Sequence, residues 1–253
     1  MISVSDYSIF SAHVYGGENA PALPDGWSLL GNPVSDPNTG FYAEVYTNGS
    51  EIVIAYRGTE KNDIRDWVFN DLYLNPVSDL LPAQFSNAQL LYEEIALKNP
   101  LIPISVTGHS LGGALAELVG AANSISGTTF GAPGVQHLLD DLSALGYSPD
   151  GSNITNYVNP LDIIGNLFTH VGTTIYSTDP FMALLDSVAP KPFPLLSLAK
   201  EMLGQHFIDT YRELFTAANN AFSPITLDLD RDGVETTHVK DGAYFDHDGN
   251  GFA

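Results

Sequence analysis

The chain is predicted to be an α/β protein with a mostly parallel central sheet flanked by helices, carrying a small acidic tail. Three observations carry that prediction. Short β-branched runs alternate with segments whose apolar residues recur at helical spacing, the pattern of a parallel sheet covered on both faces. At the centre, Gly108-His-Ser-Leu-Gly-Gly113 follows the apolar run Leu101–Thr107 and precedes Leu111, Ala114, Leu115, Leu118, Val119 and Ala122 at helical intervals. A composition break near Ser223-Pro224 then separates 1–222 from 223–253, where acids dominate and no helical period survives.

In chain order, Val4 to Tyr15 reads as a helix and Gly16 to Gly26 as a loop rich in glycine and proline. Phe41–Tyr46 and Glu51–Tyr56 read as strands joined through Asn48-Gly49, a strong hairpin signal that adds an antiparallel portion to the sheet. Ser78–Lys98 has the length and period of a helix, with Pro82 in its first turns, where a missing N–H costs little, and Pro100 just beyond its end. The strand over 101–107, the glycine-rich turn and its helix follow. Gly127–Phe130 and Asn153–Val158 are further short strands, with a helix over Gly134–Leu145 between them.

A length of 253 residues, 44% of them apolar and 11% aromatic, suits one substantial globular core and a small appendage. Thirty acidic residues against nine basic ones give a formal charge of −21. Such a surface excludes nucleic acid as a partner, because that binding rests on neutralising phosphates with Lys and Arg. It equally opposes unaided adsorption to an anionic membrane, although calcium would change that balance. With no cysteine there are no disulfides and no thiolate metal sites, which leaves the compartment open. No apolar run approaches the ~20 residues of a membrane span, so no transmembrane segment is expected. The opening Met1-Ile-Ser-Val-Ser-Asp-Tyr7 has neither a basic region nor a hydrophobic run, so no N-terminal secretion signal is expected. Oligomeric state leaves no trace in the sequence.

A strand entering Gly-x-Ser-x-Gly and a helix leaving it is the setting of a nucleophile elbow. The turn forces Ser110 into a strained conformation with its hydroxyl above the sheet, and Gly108 and Gly112 are small because side chains there would collide. The helix start behind Ser110 presents unpaired N–H groups to an oxyanion. A serine hydroxyl is a weak nucleophile and needs a base that is itself held by a carboxylate. With this elbow the partners follow in the order acid, then histidine. His109 adjoins the nucleophile and must point away. His13 and His137 come too early, and His238 and His247 belong to the acidic tail. His206, in Leu203-Gly-Gln-His-Phe-Ile-Asp-Thr-Tyr211, is the expected base. His170 is the alternative, and otherwise a hydrogen-bonded structural histidine. Asp162 is the expected acid because it directly follows the strand Asn153–Val158, at the end of the sheet where open α/β folds place functional groups. Asp140, Asp141, Asp179 and Asp186 are weaker rivals. The backbone N–H of Leu111 is one expected oxyanion donor, and Thr59, in Tyr56-Arg-Gly-Thr59, can offer its amide and hydroxyl as the second.

Taken together, Tyr56-Arg-Gly-Thr59, Ile64-Arg-Asp-Trp67, Gly108-His-Ser-Leu-Gly112, Phe130-Gly-Ala-Pro133, Asn159 with Asp162, and His206 resemble the fungal-type (class 3) lipases, in order over roughly residues 5–220. The resemblance implies an α/β-hydrolase fold and carboxylic ester hydrolysis by Ser110, His206 and Asp162 through an acyl-enzyme, with no cofactor in the chemistry. An acylglycerol lipase is the first expectation; a phospholipase A and a soluble-ester esterase are the alternatives. The resemblance also implies a short lid near Asn62–Asn70. Ile64, Trp67 and Val68 cluster there among charged residues, suited to turn outward at a lipid or ester interface. A second apolar stretch, from Phe181 to Leu203, reads either as core helices or as the wall of an acyl-chain channel. One departure is that Ile163-Ile164 stand where the family commonly has a proline soon after the aspartate.

The tail resembles another group. Asp228-x-Asp230-x-Asp232-Gly and Asp246-x-Asp248-x-Asn250-Gly match the first half of a calcium loop, although the twelfth position of the first is Val239. The pattern resembles the calcium-binding region beside the repeats of hemolysin-type (RTX) secreted proteins. It implies calcium as a partner, secretion from a bacterium by a C-terminal signal downstream, and a longer parent protein. A solvated acidic linker is the plain alternative. The reading from a different class is a calcium-stabilised binding module on an inactive hydrolase fold.

Overall fold

In a computed structural model of the chain, residues 2–17, 20–59, 77–160, 162–176 and 206–212 are described, with 77–82 as backbone only. They all belong to a unit spanning Met1–Thr216, and Ala217–Ala253 makes up the other. The elements are α1 (Val4–His13), β1 (Ser28–Leu29), β2 (Val34–Asp36), β3 (Phe41–Thr47), β4 (Ile52–Tyr56), α2 (Val77–Lys98), β5 (Ile104–His109), α3 (Leu111–Asn123), β6 (Ser126–Phe130), a 3₁₀ turn (Gln136–Leu138), α4 (Leu139–Ala144), β7 (Ile154–Val158) and β8 (Thr173–Tyr176).

The strands form one sheet in the order β1-β3-β4-β5-β6-β7-β8, with β2 also on β3. From β4 to β8 all neighbours are parallel, while β1, β2 and β4 run antiparallel to β3. The fold is α/β, with a mostly parallel mixed central sheet flanked by helices. Strand β4 shows why: all of Ile52-Val-Ile-Ala-Tyr56 is buried, and alternate residues enter different clusters. Ile52, Ile54 and Tyr56 pack with Phe85, Ala88 and Leu91 of α2 and with Leu115, Leu118 and Val119 of α3. Val53 and Ala55 pack on the other face with Phe10 and Val14 of the α1 region.

Helix α1 docks through hydroxyl groups as well as apolar ones. The Tyr7 hydroxyl donates to Ser105 Oγ at 2.9 Å, Ser11 Oγ meets Thr107 Oγ1 at 2.8 Å, and, in the turn just past the helix, the Tyr15 hydroxyl meets His109 Nδ1 at 2.9 Å. Residues four apart on a helix rise about 6 Å, and residues two apart on a strand about 6.6 Å, so the two ladders stay in step.

Most boundaries differ from expectation by one or two residues, and two departures have a clear physical reason. Strand β5 starts at Ile104 rather than Leu101 because Leu101 lies in an exposed turn closed by Ile102 N–H donating to Asn99; pairing begins where Ile52 N–H donates to the Pro103 carbonyl. The segment expected as a helix over 134–145 becomes a 3₁₀ turn and a short helix from Gln136. Gly134 and Gln136 instead donate to the carbonyls of Leu167 and Thr169. Strands β1, β2 and β8 carry too few buried apolar positions to announce themselves; β8 is mostly exposed at the sheet edge.

The end of β5 sets the geometry of everything that follows. An added Cβ on Gly108 would stand 2.3 Å from the Gly112 backbone, and one on Gly112 would stand 2.1 Å from the Tyr56 carbonyl oxygen. The glycines let α3 leave the sheet at once, against the end of β4. Gly112→Ala should therefore destabilise the fold by about 2–3 kcal/mol, the upper end for overpacking. The check is a urea melt followed by circular dichroism, with a lowered midpoint at unchanged slope.

Candidate active site

Ser110 lies between β5 and α3 with φ 58° and ψ −132°, a region costly for any residue with a side chain. The strain is held by its own backbone: Ser110 N–H donates to Phe130, and its carbonyl accepts from Gly113 and Ala114. The turn points the hydroxyl at His206, whose Nε2 is 2.9 Å from Ser110 Oγ. On the far side of the ring, His206 Nδ1 is 2.9 and 3.0 Å from the two oxygens of Asp162. A carboxylate only accepts, so Nδ1 carries the proton, and Nε2 is left to accept from the serine hydroxyl. All three side chains are buried.

Asp162 is 0% exposed, and its charge is met by donors on every side. Oδ1 accepts from the amides of Ile164 and Gly165 at 2.9 and 3.1 Å, and Oδ2 accepts from the Tyr211 hydroxyl at 2.6 Å. Burial opposes ionisation, but His206, Tyr211 and the Gly165 amide outweigh it and hold the carboxyl below its ordinary value of 3.8. The first of these amides accounts for Ile164: a proline there could not supply the hydrogen bond.

Gly131, with φ +54°, ends β6 beside the same carboxylate. An added Cβ there would stand 2.6 Å from Asp162 Oδ2 and 2.9 Å from the Tyr211 ring. Within Phe130-Gly-Ala-Pro133, Gly131 is therefore the residue that lies against Asp162.

His109 points away from Ser110, yet it is tied to His206. Its Nε2 hydrogen-bonds the carbonyl of His206, and the rings lie 4.7 Å apart. A carbonyl only accepts, so Nε2 carries the proton and the Tyr15 hydroxyl, 2.9 Å away, donates to Nδ1. The turn that follows α1 thus reaches His206 through His109.

Of the expected oxyanion donors, Leu111 opens α3, and Ser110 ahead of it makes no side-chain cap, so the first-turn amides have no such partner. Gly58, one residue before Thr59, packs so tightly on the elbow that an added Cβ would be 3.0 Å from Ser110 Cβ. Arg57 stacks over the Tyr42 ring at 4.4 Å.

His170 is brought elsewhere. Its Nδ1 is 2.8 Å from Glu117 Oε1, and its Nε2 is 2.9 Å from the Gly165 carbonyl. Tyr15, Tyr211, Gly131 and Glu117 escaped sequence reasoning, because an aromatic or a glycine near a core, or one acid in an apolar helix, carries no motif. Only Phe130-Gly-Ala-Pro133 offered a signal. Ile64, Trp67 and Val68, the stretch from Phe181 to Leu203 up to residue 205, and Asp228, Asp230, Asp232, Asp246, Asp248 and Asn250 lie outside the described residues. Among the described residues, no helix is long and apolar enough to cross a membrane.

Residues 6–189 match a phospholipase-like family described as a Tle-like phospholipase domain. An extracellular phospholipase A1 of Serratia liquefaciens is 32% identical over 148 residues, 56% of this chain and 43% of that protein. The chain thus spans less than half the length of this curated relative. Among solved structures, the lipase of Rhizomucor miehei in its propeptide complex is similar with TM-score 0.52 at 23% identity, over 69% of this chain and 67% of that one. A triacylglycerol lipase from Penicillium expansum is similar with TM-score 0.50 at 22% identity, over 68% and 77%. At such identity the likeness to class 3 lipases is one of fold, and the matching family is phospholipase-like.

The Tyr211 hydroxyl gives a direct test of the acid's surroundings. A hydrogen bond to a charged group contributes ~1.5–3 kcal/mol, so Tyr211→Phe should lower kcat on a dissolved ester about tenfold or more, with KM little changed. The carboxyl's depressed value stabilises the fold fully above its ordinary 3.8, and that contribution fades as pH falls through the lower folded value. Tyr211→Phe should therefore reduce the stability difference between neutral and acid melts.

Proposed function

This chain belongs to the phospholipase-like family with a Tle-like phospholipase domain, a family of lipase- and phospholipase-type ester hydrolases, and on that premise we propose that it cleaves the acyl esters of glycerophospholipids. Ser110 is the nucleophile, His206 the general base and then acid, and Asp162 the group that orients the imidazole. The observation that carries this reading is the continuous line from Ser110 Oγ through His206 to Asp162, with 2.9 Å on either side of the ring.

In the reaction, Ser110 Oγ attacks the ester carbonyl as its proton passes to His206 Nε2. Asp162, held ionised by its donors, stabilises the imidazolium. The amide of Leu111 and the Thr59 amide or hydroxyl take the negative charge of the tetrahedral intermediate. His206 then protonates the leaving alkoxide, which departs as lysophospholipid. A water, deprotonated by the same nitrogen, releases the fatty acid and restores Ser110.

Phospholipid is placed ahead of triacylglycerol because the family is phospholipase-like and the Serratia relative is a phospholipase A1. With a formal charge of −21, the chain meets zwitterionic choline or ethanolamine vesicles more easily than anionic ones. Ser110→Ala should fold normally, lose fluorophosphonate labelling and hydrolyse neither a p-nitrophenyl ester nor phosphatidylcholine. On wild type, a panel of phosphatidylcholine, triacylglycerol and soluble ester should rank the phospholipid first. Activity of the Ser110→Ala protein near that of wild type overturns the nucleophile assignment, and a ranking led by triacylglycerol overturns the substrate.

The same reading extends to secretion, from the extracellular relative, and to calcium held by Asp228, Asp230, Asp232, Asp246, Asp248 and Asn250. Carboxylates gathered without a cation repel one another, so millimolar calcium should raise Tm by linkage. Truncation before Ile225 should abolish that rise and keep the hydrolase. A melting curve insensitive to calcium reduces the tail to an acidic linker.

A further inference from the structure

Glu117 lies on α3, seven residues beyond Ser110, in the apolar run Leu115-Ala-Glu-Leu-Val119. It is 0% exposed, and the mechanism above does not use it. Burying a carboxylate is costly unless its oxygens are satisfied. The partners come from two loops that carry the site. The backbone of Val135 donates from the loop after β6, and His170 Nδ1 and the Val171 amide donate from the segment after β7, at 2.8 and 3.0 Å. The other nitrogen of His170 faces the carbonyl of Gly165 at 2.9 Å, and the amide of Gly165 donates to Asp162 Oδ1. A single residue therefore separates the His170 ring from the acid of the triad.

The hydrogen atoms follow from the acceptors. The Gly165 carbonyl only accepts, so His170 Nε2 carries a proton. Nδ1 faces a carboxylate oxygen at 2.8 Å, so another proton lies between them. The pair thus holds one proton more than a neutral imidazole beside a carboxylate. When that proton leaves, the ring keeps a single N–H for two acceptors, so a lone pair faces an oxygen at either the Glu117 or the Gly165 contact and that contact turns repulsive.

Resting on the serine-hydrolase reading, we propose that Glu117 and His170 form a positioning pair that holds Asp162 in its pocket through Gly165 by means of this shared proton. The charge facing the pair from the acid loop is that of Asp162, with His206 beyond it, and Glu117 is the charge facing it from α3. Burial pulls the His170 value down, but the hydrogen bond and charge of Glu117 outweigh it and raise it above 6.5. Burial, the largest cause, pushes Glu117 up as well. Both shifts act in one direction: the contribution is complete at low pH and is lost as pH rises through the raised values.

The test uses the full chain and a dissolved p-nitrophenyl ester, with active sites counted by fluorophosphonate titration. His170→Leu cuts the link to Gly165 and should lower kcat per reactive serine at least about tenfold with KM unchanged, as misplaced catalytic groups do. Glu117→Gln can still hydrogen-bond His170 but cannot share a proton. In this variant the alkaline fall in kcat should move up by about one pH unit or more. If His170→Leu does not fold, the Glu117→Gln profile decides by itself. A wild type that is active, with the alkaline limb of Glu117→Gln superimposing on its own, overturns the positioning role and leaves the hydrolase reading in place. A wild type that neither takes up the probe nor cleaves the ester overturns both.

Discussion

The site is organised around one expensive group, the fully buried carboxylate of Asp162. An ion without water must find its solvation in the protein, and the surrounding residues read as a solvation shell built from the chain. The loop supplies its own amides at Ile164 and Gly165, the base supplies Nδ1–H, and Tyr211 supplies a hydroxyl. For the amides to arrive, the chain must fold back within a few residues of β7. Asn166 secures that turn by donating from its side chain to the carbonyls of Asn159 and Asp162 at 2.9 and 2.6 Å. Tyr211 is itself held from behind, since its oxygen accepts from the Asn159 amide at 3.0 Å. The two glycines that face the carboxylate, Gly131 and Gly165, leave the space that these donors need.

Ser110 and His206 are approached from another direction. Side chains of β5 at alternate positions, Ser105, Thr107 and His109, face hydroxyls at every fourth position, Tyr7 and Ser11 of α1 and Tyr15 just beyond its end. The last rung of this ladder is His109, whose second nitrogen holds the carbonyl of His206. Thr107 also donates to the Thr128 carbonyl at 2.6 Å, so the seam extends into β6. The turn after α1 at the start of the chain and His206 near its other end are thus joined through His109, the residue before Ser110. Polar groups satisfied in this way specify one register, because sliding α1 by a residue would break the hydrogen bonds that join it to β5.

How far the sequence foretells this depends on whether a residue's role is local. The elbow is legible because its glycines, its strand and its helix are neighbours in the chain. The hairpin is legible through Asn48, whose side chain accepts from Ser50 and Glu51 while Gly49 takes φ +85°. Ser110, Asp162 and His206 can be selected by order and position, and the structure brings those side chains together. Tyr15, Tyr211 and Glu117 act across 94, 49 and 53 residues of sequence, and nothing near them in the chain reports the partner. The over-long helix expected at 134–145 failed for the same reason. Local apolar spacing allowed it, but Gly134 and Gln136 bond to a loop more than thirty residues away.

The same side-chain chemistry occurs twice here, and comparing the two cases shows what makes a base. In both, an imidazole Nδ1 lies within 2.9 Å of a buried carboxylate. The pairs differ in what meets Nε2. His206 meets a serine hydroxyl, which can give a proton, so its Nε2 stays unprotonated and ready to accept. His170 meets a carbonyl oxygen, which can only accept, so its Nε2 must already be protonated and has no lone pair to offer. A buried carboxylate beside an imidazole therefore does not by itself identify a general base. The atom at the opposite nitrogen decides, and at His170 that atom makes the ring a clamp on Gly165, one residue from the acid that His206 depends on.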